Sequence, residues 1–144
     1  MAADAPSHNR ASTAHRFIEA LPHCRALGMK VEAVGAGEAT VSMPWSEAIV
    51  GDPATGVVHG GAVSALMDTT GGAAVLSHPD GGAGTATMDL RIDYMRAAAP
   101  RQRITARARC FHVTRSVAFV RAEASDEDGV VAVANGAFTV ERAR

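Results

Sequence analysis

The sequence predicts an α+β fold: a long central helix packed against an antiparallel sheet, with a short helix ahead of them. Three observations predict it. His59 to Ser77 is a glycine- and alanine-rich stretch of helical length, bounded by loop residues on both sides. Thr85 to Tyr94 alternates polar and apolar residues, the pattern of a half-buried strand. The remainder divides into three further strand-like runs joined by short turns, which favours meander pairing over crossover units.

In chain order, residues 1–9 are small and polar and read as a loose tail, leaving 10–144 as one domain. Ala14, Phe17, Ile18 and Leu21 fall at helical spacing, so a helix is expected from about Arg10 to Leu21. Ser12 or Thr13 could cap it, and Pro22 follows its end. Met29–Val34 and Glu38–Pro44 read as two strands of a hairpin turning at Gly35-Ala36-Gly37. Trp45 to Val58 is a loop broken by Gly51, Pro53 and Gly56. The long helix follows. Its glycines would each weaken an isolated helix by roughly 1 kcal/mol, so their presence implies close approach of other backbone. His78 to Gly84 ends it as a loop, and Pro100 breaks the strand after it. Ile104–Val113, Val117–Ser125 and Val130–Val140 complete the sheet, with turns at Thr114-Arg115-Ser116 and Asp126-Glu127-Asp128-Gly129.

The chain has 144 residues, enough for a single core, and a net charge of −1, which offers no global attraction for nucleic acid or an anionic membrane. No apolar stretch is long enough to cross a bilayer, and the N-terminus lacks the pattern of a secretory signal. Two distant cysteines, Cys24 and Cys110, make neither a disulfide framework nor a zinc motif, and a cytoplasmic location is expected. The histidines show no metal-ligand spacing.

The chemistry concentrates where a loop delivers His59-Gly60-Gly61 to a helix start, with Asp68 further along that helix. The first N–H groups of a helix have no internal partner and sit at its positive end, so this end can hold an oxyanion. Asp68 lies nine residues after His59, about two and a half turns and roughly 13 Å along the axis. Both groups can serve one reaction only if the second comes from another subunit, and a two-fold dimer with antiparallel helices meets that need.

His59-Gly60-Gly61, Ala65-Leu66 and Asp68 resemble the signature of hotdog-fold acyl-CoA thioesterases of the phenylacetic acid degradation type. Thr85 to Arg96 is similar to that family's strand after the helix, and the resemblance runs from Leu21 to the C-terminus. It implies a curved sheet wrapped around the long helix, a homodimer formed through that helix and often a dimer of dimers. It implies that the Gly60 N–H polarises the thioester carbonyl and that Asp68 of the other subunit is general base or nucleophile. His59 would orient the carbonyl or sulfur, and Thr87 would help hold the attacking water. No cofactor is implied, since coenzyme A is part of the substrate. Its phosphates make Arg96 and Arg115 candidate ligands, with Ser116 beside the latter and Arg91 a further candidate. Gly61 would let the substrate approach closely.

One departure stands out. The family commonly has Asn in the loop before His-Gly-Gly, where this chain has Asp52 and Pro53. An ionised Asp52 cannot donate a hydrogen bond to a carbonyl. Either it has another part, such as holding His59, or carbonyl activation is weaker. Two rival readings fit the same motif. One is a hydratase or dehydratase on this fold, which Gly60-Gly61 suits less well than carbonyl activation. The other is a non-catalytic acyl-CoA binding module, which would not need Asp68.

Overall fold

The computed structural model describes residues 5–144, and residues 1–4 of the expected tail lie outside them. The helices are α1 (Ala5–Ala20), α2 (Pro22–Ala26) and α3 (Gly60–Ser77). The strands are β1 (Lys30–Gly35), β2 (Glu38–Met43), β3 (Thr87–Tyr94), β4 (Ile104–Val113), β5 (Val117–Asp126) and β6 (Gly129–Thr139). Every neighbouring pair is antiparallel, in the order β1-β2-β4-β5-β6-β3.

The sheet is a hotdog-type half-roll around α3. Its inner face is built largely from alanine: Ala106 and Ala108 on β4, Ala118, Ala122 and Ala124 on β5, Ala132 and Ala134 on β6, all buried. Such short side chains let the helix axis sit close to the strands. Bulges in β1, β3, β4 and at the end of β5 add the bend that wraps the sheet. Among the helix glycines, Gly71 is explained by an aromatic side chain rather than by backbone, whereas a Cβ on Gly60 would make only ordinary contact. A Cβ on Gly71 would stand 2.8 Å from Phe138 Cζ, and one on Gly60 would stand 3.6 Å from the Tyr94 ring.

Several expectations change. α1 starts at Ala5, so residues 5–9 are helical rather than tail, and Ser12 and Thr13 lie inside the helix instead of capping it. Pro22 opens α2, at a position where its missing N–H costs nothing. Ala14 and Ile18 are buried as the spacing requires, but Phe17 is 48% exposed. β3 is an edge strand paired only with β6, and its apolar face is buried only in part: Leu90 and Ile92 pack against the core, while Met88 is 59% and Tyr94 47% exposed. Cys24 and Cys110 are buried and unpaired, and burial pushes both thiols up. Among the described residues no helix is long and apolar enough to cross a membrane.

Candidate active site

α3 is enclosed on most of its circumference, with Leu66, Met67, Thr70, Ala73 and Ala74 fully or nearly fully buried. Gly61, Ser64, Ala65, Asp68, Thr69 and Gly72 remain wholly or partly exposed. These recur three or four residues apart, so they form one uncovered stripe along the helix. Gly60 stands at its head and Asp68 at its middle.

The head of the stripe is shaped by His59. It is the N-cap of α3, and its Nδ1 accepts a 2.7 Å hydrogen bond from the Gly61 N–H. In the neutral ring the proton therefore sits on Nε2, which remains a donor. The His59 N–H donates to the Ile49 carbonyl at 2.8 Å, and Gly51 lets the preceding loop lie against it, since a Cβ there would meet His59 Cα at 2.8 Å. The Gly60 N–H has no acceptor among the described residues. It is the open amide of the helix start, while Gly61 is spent on the cap.

Tyr94, at the far end of β3, closes over this turn. Its hydroxyl donates to the Gly60 carbonyl at 2.8 Å and lies 2.5 Å from Ser64 Oγ, which itself donates to the same carbonyl at 3.1 Å. Sequence reasoning assigns Tyr94 no part. Its only signal there is an aromatic residue ending the strand.

At the middle of the stripe the Thr87 hydroxyl donates to Asp68 Oδ1 at 2.6 Å. Strict alternation puts Thr87 on the strand face opposite Leu90 and Ile92. A bulge between Thr87 and Asp89 removes that conflict: Thr87 faces Phe138, Leu90 faces Gly136 and Ile92 faces Ala134, all on the helix side of β6. One extra residue thus turns a polar side chain inward onto Asp68. Beside this pair lies a recess of about 150 Å³, walled by Phe17 and Ile18 of α1 and by Leu21 just after it, with Gly72, Thr85 and Phe138.

The remaining site candidates lie apart from this stripe. The Asp52 carboxylate closes its own turn, accepting from the Ala54 N–H and the Thr55 hydroxyl, each at 2.9 Å, and it does not hold His59. The Arg96 guanidinium grips Asp126 with two nitrogens and also donates to the Ala97 and Gly129 carbonyls. Its donors are largely committed to joining the end of β3 to the β5–β6 turn. Arg91 pairs with Asp93 on the surface at 3.2 Å. Arg115 and Ser116 are exposed in the β4–β5 turn, which Arg142 ties through the Thr114 and Arg115 carbonyls to Asp80 beyond the C-terminal end of α3. No three His, Cys, Asp or Glu side chains cluster as a metal site among the described residues.

A family profile described as the Thioesterase superfamily matches residues 55–133, the span that carries His59, Gly60, Asp68 and Thr87. The chain belongs to this superfamily. A crystal structure of a Pseudomonas aeruginosa protein is 43% identical, covering 90% of this chain and 98% of that one with a TM-score of 0.78. An asparagine-to-aspartate variant of the phenylacetic acid degradation protein PaaI from Thermus thermophilus is 29% identical, covering 85% and 100% with a TM-score of 0.74. A candidate esterase of Halobacterium salinarum is 40% identical over 75 residues, 50% of each chain, so the match spans about half the length of that curated relative. The hotdog fold and the likeness to thioesterases of the phenylacetic acid degradation type both hold.

For a thioesterase the stripe supplies two separate elements: an amide donor with no internal acceptor and a carboxylate oriented by a hydroxyl. Within one protomer they are eight residues apart, about 12 Å along the axis.

Proposed function

We propose that the protein hydrolyses acyl-CoA thioesters as a homodimer with two sites, each shared between protomers. The observation that carries this reading is the uncovered stripe of α3, with the open Gly60 N–H at its head and the Asp68–Thr87 pair at its middle. Two such stripes apposed antiparallel about a two-fold axis bring the amide of one protomer toward the carboxylate of the other, twice. The small residues Gly61 and Ala65 favour that close approach. The outer sheet face, where Phe111 and Phe119 stand exposed, is the surface we assign to a further pairing of dimers.

In the reaction the Gly60 N–H donates to the thioester carbonyl oxygen and stabilises the oxyanion that forms there. Asp68 takes a proton from a water molecule through Oδ2, the carboxylate oxygen that Thr87 leaves free. The Thr87 hydroxyl, donating its own proton to Oδ1, keeps lone pairs that accept from the same water. That arrangement supports general-base catalysis over direct attack by Asp68. Water oxygen bonds to the acyl carbon, the carbon–sulfur bond breaks, and the sulfur leaves with its electron pair and takes up the proton that Asp68 removed from water, giving the free acid and free coenzyme A. His59 Nε2–H, the ring donor that the cap leaves free, orients the carbonyl or sulfur. The reaction draws on no cofactor, and two unpaired cysteines accord with a cytoplasmic setting.

Thiol release from acyl-CoAs, followed with a thiol-reactive dye, tests the reading. Asp68→Asn should lower kcat by about 10²–10⁴ while preserving the dimer. Equal rates in the wild type and Asp68→Asn would remove Asp68 from the mechanism. Binding of acyl-CoA with no thiol release from any acyl chain would make the protein a binding module.

A further inference from the structure

The geometry points to a size rule for the acyl group, resting on the thioesterase reading: the recess beside Asp68 receives a compact apolar acyl tail of about six non-hydrogen atoms, and Gly72 and Phe17 set that limit. The recess has a volume of about 150 Å³. A cavity of that volume lined by aliphatic and aromatic side chains in another protein holds one benzene molecule, which sets the scale. Apolar side chains, Ile18, Leu21 and Phe138 among them, make much of the wall here, and Thr69 and Thr85 add polar surface beside Asp68 and Thr87. Asp68 and Thr87 stand at its edge, so a thioester whose carbonyl lies against Asp68 can direct its tail into it.

Two positions control the space. Gly72 lies on the uncovered stripe one helical turn beyond Asp68. A Cβ there would meet only Thr85 Cγ2, at 3.9 Å, an ordinary contact. The fold therefore accepts a side chain at Gly72, and its absence leaves open volume in the wall. Gly71, next to it, has a different reason to be glycine, because Phe138 occupies its Cβ position. Phe17 is the opposite wall. It projects from α1 over the recess with half its surface in solvent, so it contributes cover more than core packing.

The test compares kcat/KM for acetyl-, hexanoyl- and decanoyl-CoA in the wild type, Gly72→Ala and Phe17→Ala. The wild type should favour hexanoyl- over decanoyl-CoA. One methyl group added to or removed from an apolar pocket changes discrimination by about tenfold or more. Gly72→Ala should therefore lower the hexanoyl-to-acetyl ratio about tenfold, and Phe17→Ala should raise the decanoyl-to-hexanoyl ratio. Reading ratios within each variant separates acyl fit from a general loss of activity. Hydrolysis with the same ratios in all three proteins overturns the size rule and leaves the thioesterase reading standing. Absence of hydrolysis of every acyl-CoA by the wild type overturns both.

Discussion

Replacing Arg96 by alanine separates a structural arginine from one that grips phosphate. None of the Asp126 side chain reaches solvent, and it accepts from Arg96, from the Ala99 N–H at 3.0 Å and from the Asp128 N–H at 2.9 Å. Arg96 foremost, then these amides, hold the carboxyl far below the ordinary carboxylate range. Stranding a deeply buried carboxylate costs about 3–5 kcal/mol. Asp126 lies under a thin cover, chiefly the guanidinium itself, so removing Arg96 admits water and two amides remain. We therefore expect a loss of about 2 kcal/mol in Arg96→Ala. At about 2–4 °C per kcal/mol for a chain near this size, the melting temperature at pH 7 should fall by about 6 °C. The pH dependence has a definite sign. A carboxyl depressed in the folded state contributes fully above its unfolded pKa, about 3.9, and loses that contribution as the pH falls further. The gap between wild-type and variant melting temperatures should thus be constant from pH 7 to about pH 5 and narrow below about pH 4. Circular dichroism melts across that range measure it. An unchanged melting temperature together with a raised KM for acyl-CoA would refute the structural assignment and return Arg96 to the ligand.

Two further outcomes follow from the site. Asp68→Ala and His59→Ala should each be nearly inactive, yet subunit exchange between them should restore about a quarter of wild-type activity, because half the dimers are hybrids and each hybrid has one intact site. Mixtures that form hybrids by mass spectrometry but release no thiol would rule out the shared site. Thr85→Val should raise stability by about 1 kcal/mol, since Thr85 Oγ1 is buried without a partner and the methyl group keeps the shape. An unchanged or lowered midpoint in urea would show that the hydroxyl finds a partner in solution.

Most of the fold is legible because its strands have strong turn chemistry between them and its central helix has an unmistakable composition. The hairpin at Gly35-Ala36-Gly37 illustrates the first: Ala36 at φ 52° and Gly37 at φ 85° both occupy the left-handed region that such a turn demands. Residues 5–9 show the limit of local reading, since a polar segment without an apolar stripe carries no helical signal of its own. Arg96 shows another limit. A surface arginine at a strand end looks the same whether it awaits a phosphate or clasps an aspartate thirty residues later. The glycines of α3 were informative about crowding, but only the fold separates Gly71, which meets Phe138, from Gly72, which meets almost nothing.

The bulge at Met88 is the least legible feature and the one with most consequence for chemistry. Ala86 and Met88 are apolar, so they continue the alternation and hide the extra residue. With the bulge in place, β3 presents Thr87, Leu90, Ile92 and Tyr94 to one side, and the strand runs antiparallel to α3 along it. Thr87 fixes the carboxylate at the middle of the stripe, and Tyr94 fixes the Gly60 turn at its head. The same edge strand therefore braces both halves of the proposed site on each protomer. A site divided between two chains needs the separation of its halves to be set before the chains meet, because the two-fold axis can align only what each protomer already holds rigid. On the proposed two-chain reading, that requirement accounts for polar contacts on an edge strand where Leu90 and Ile92 pack against the core while Met88 stands in solvent.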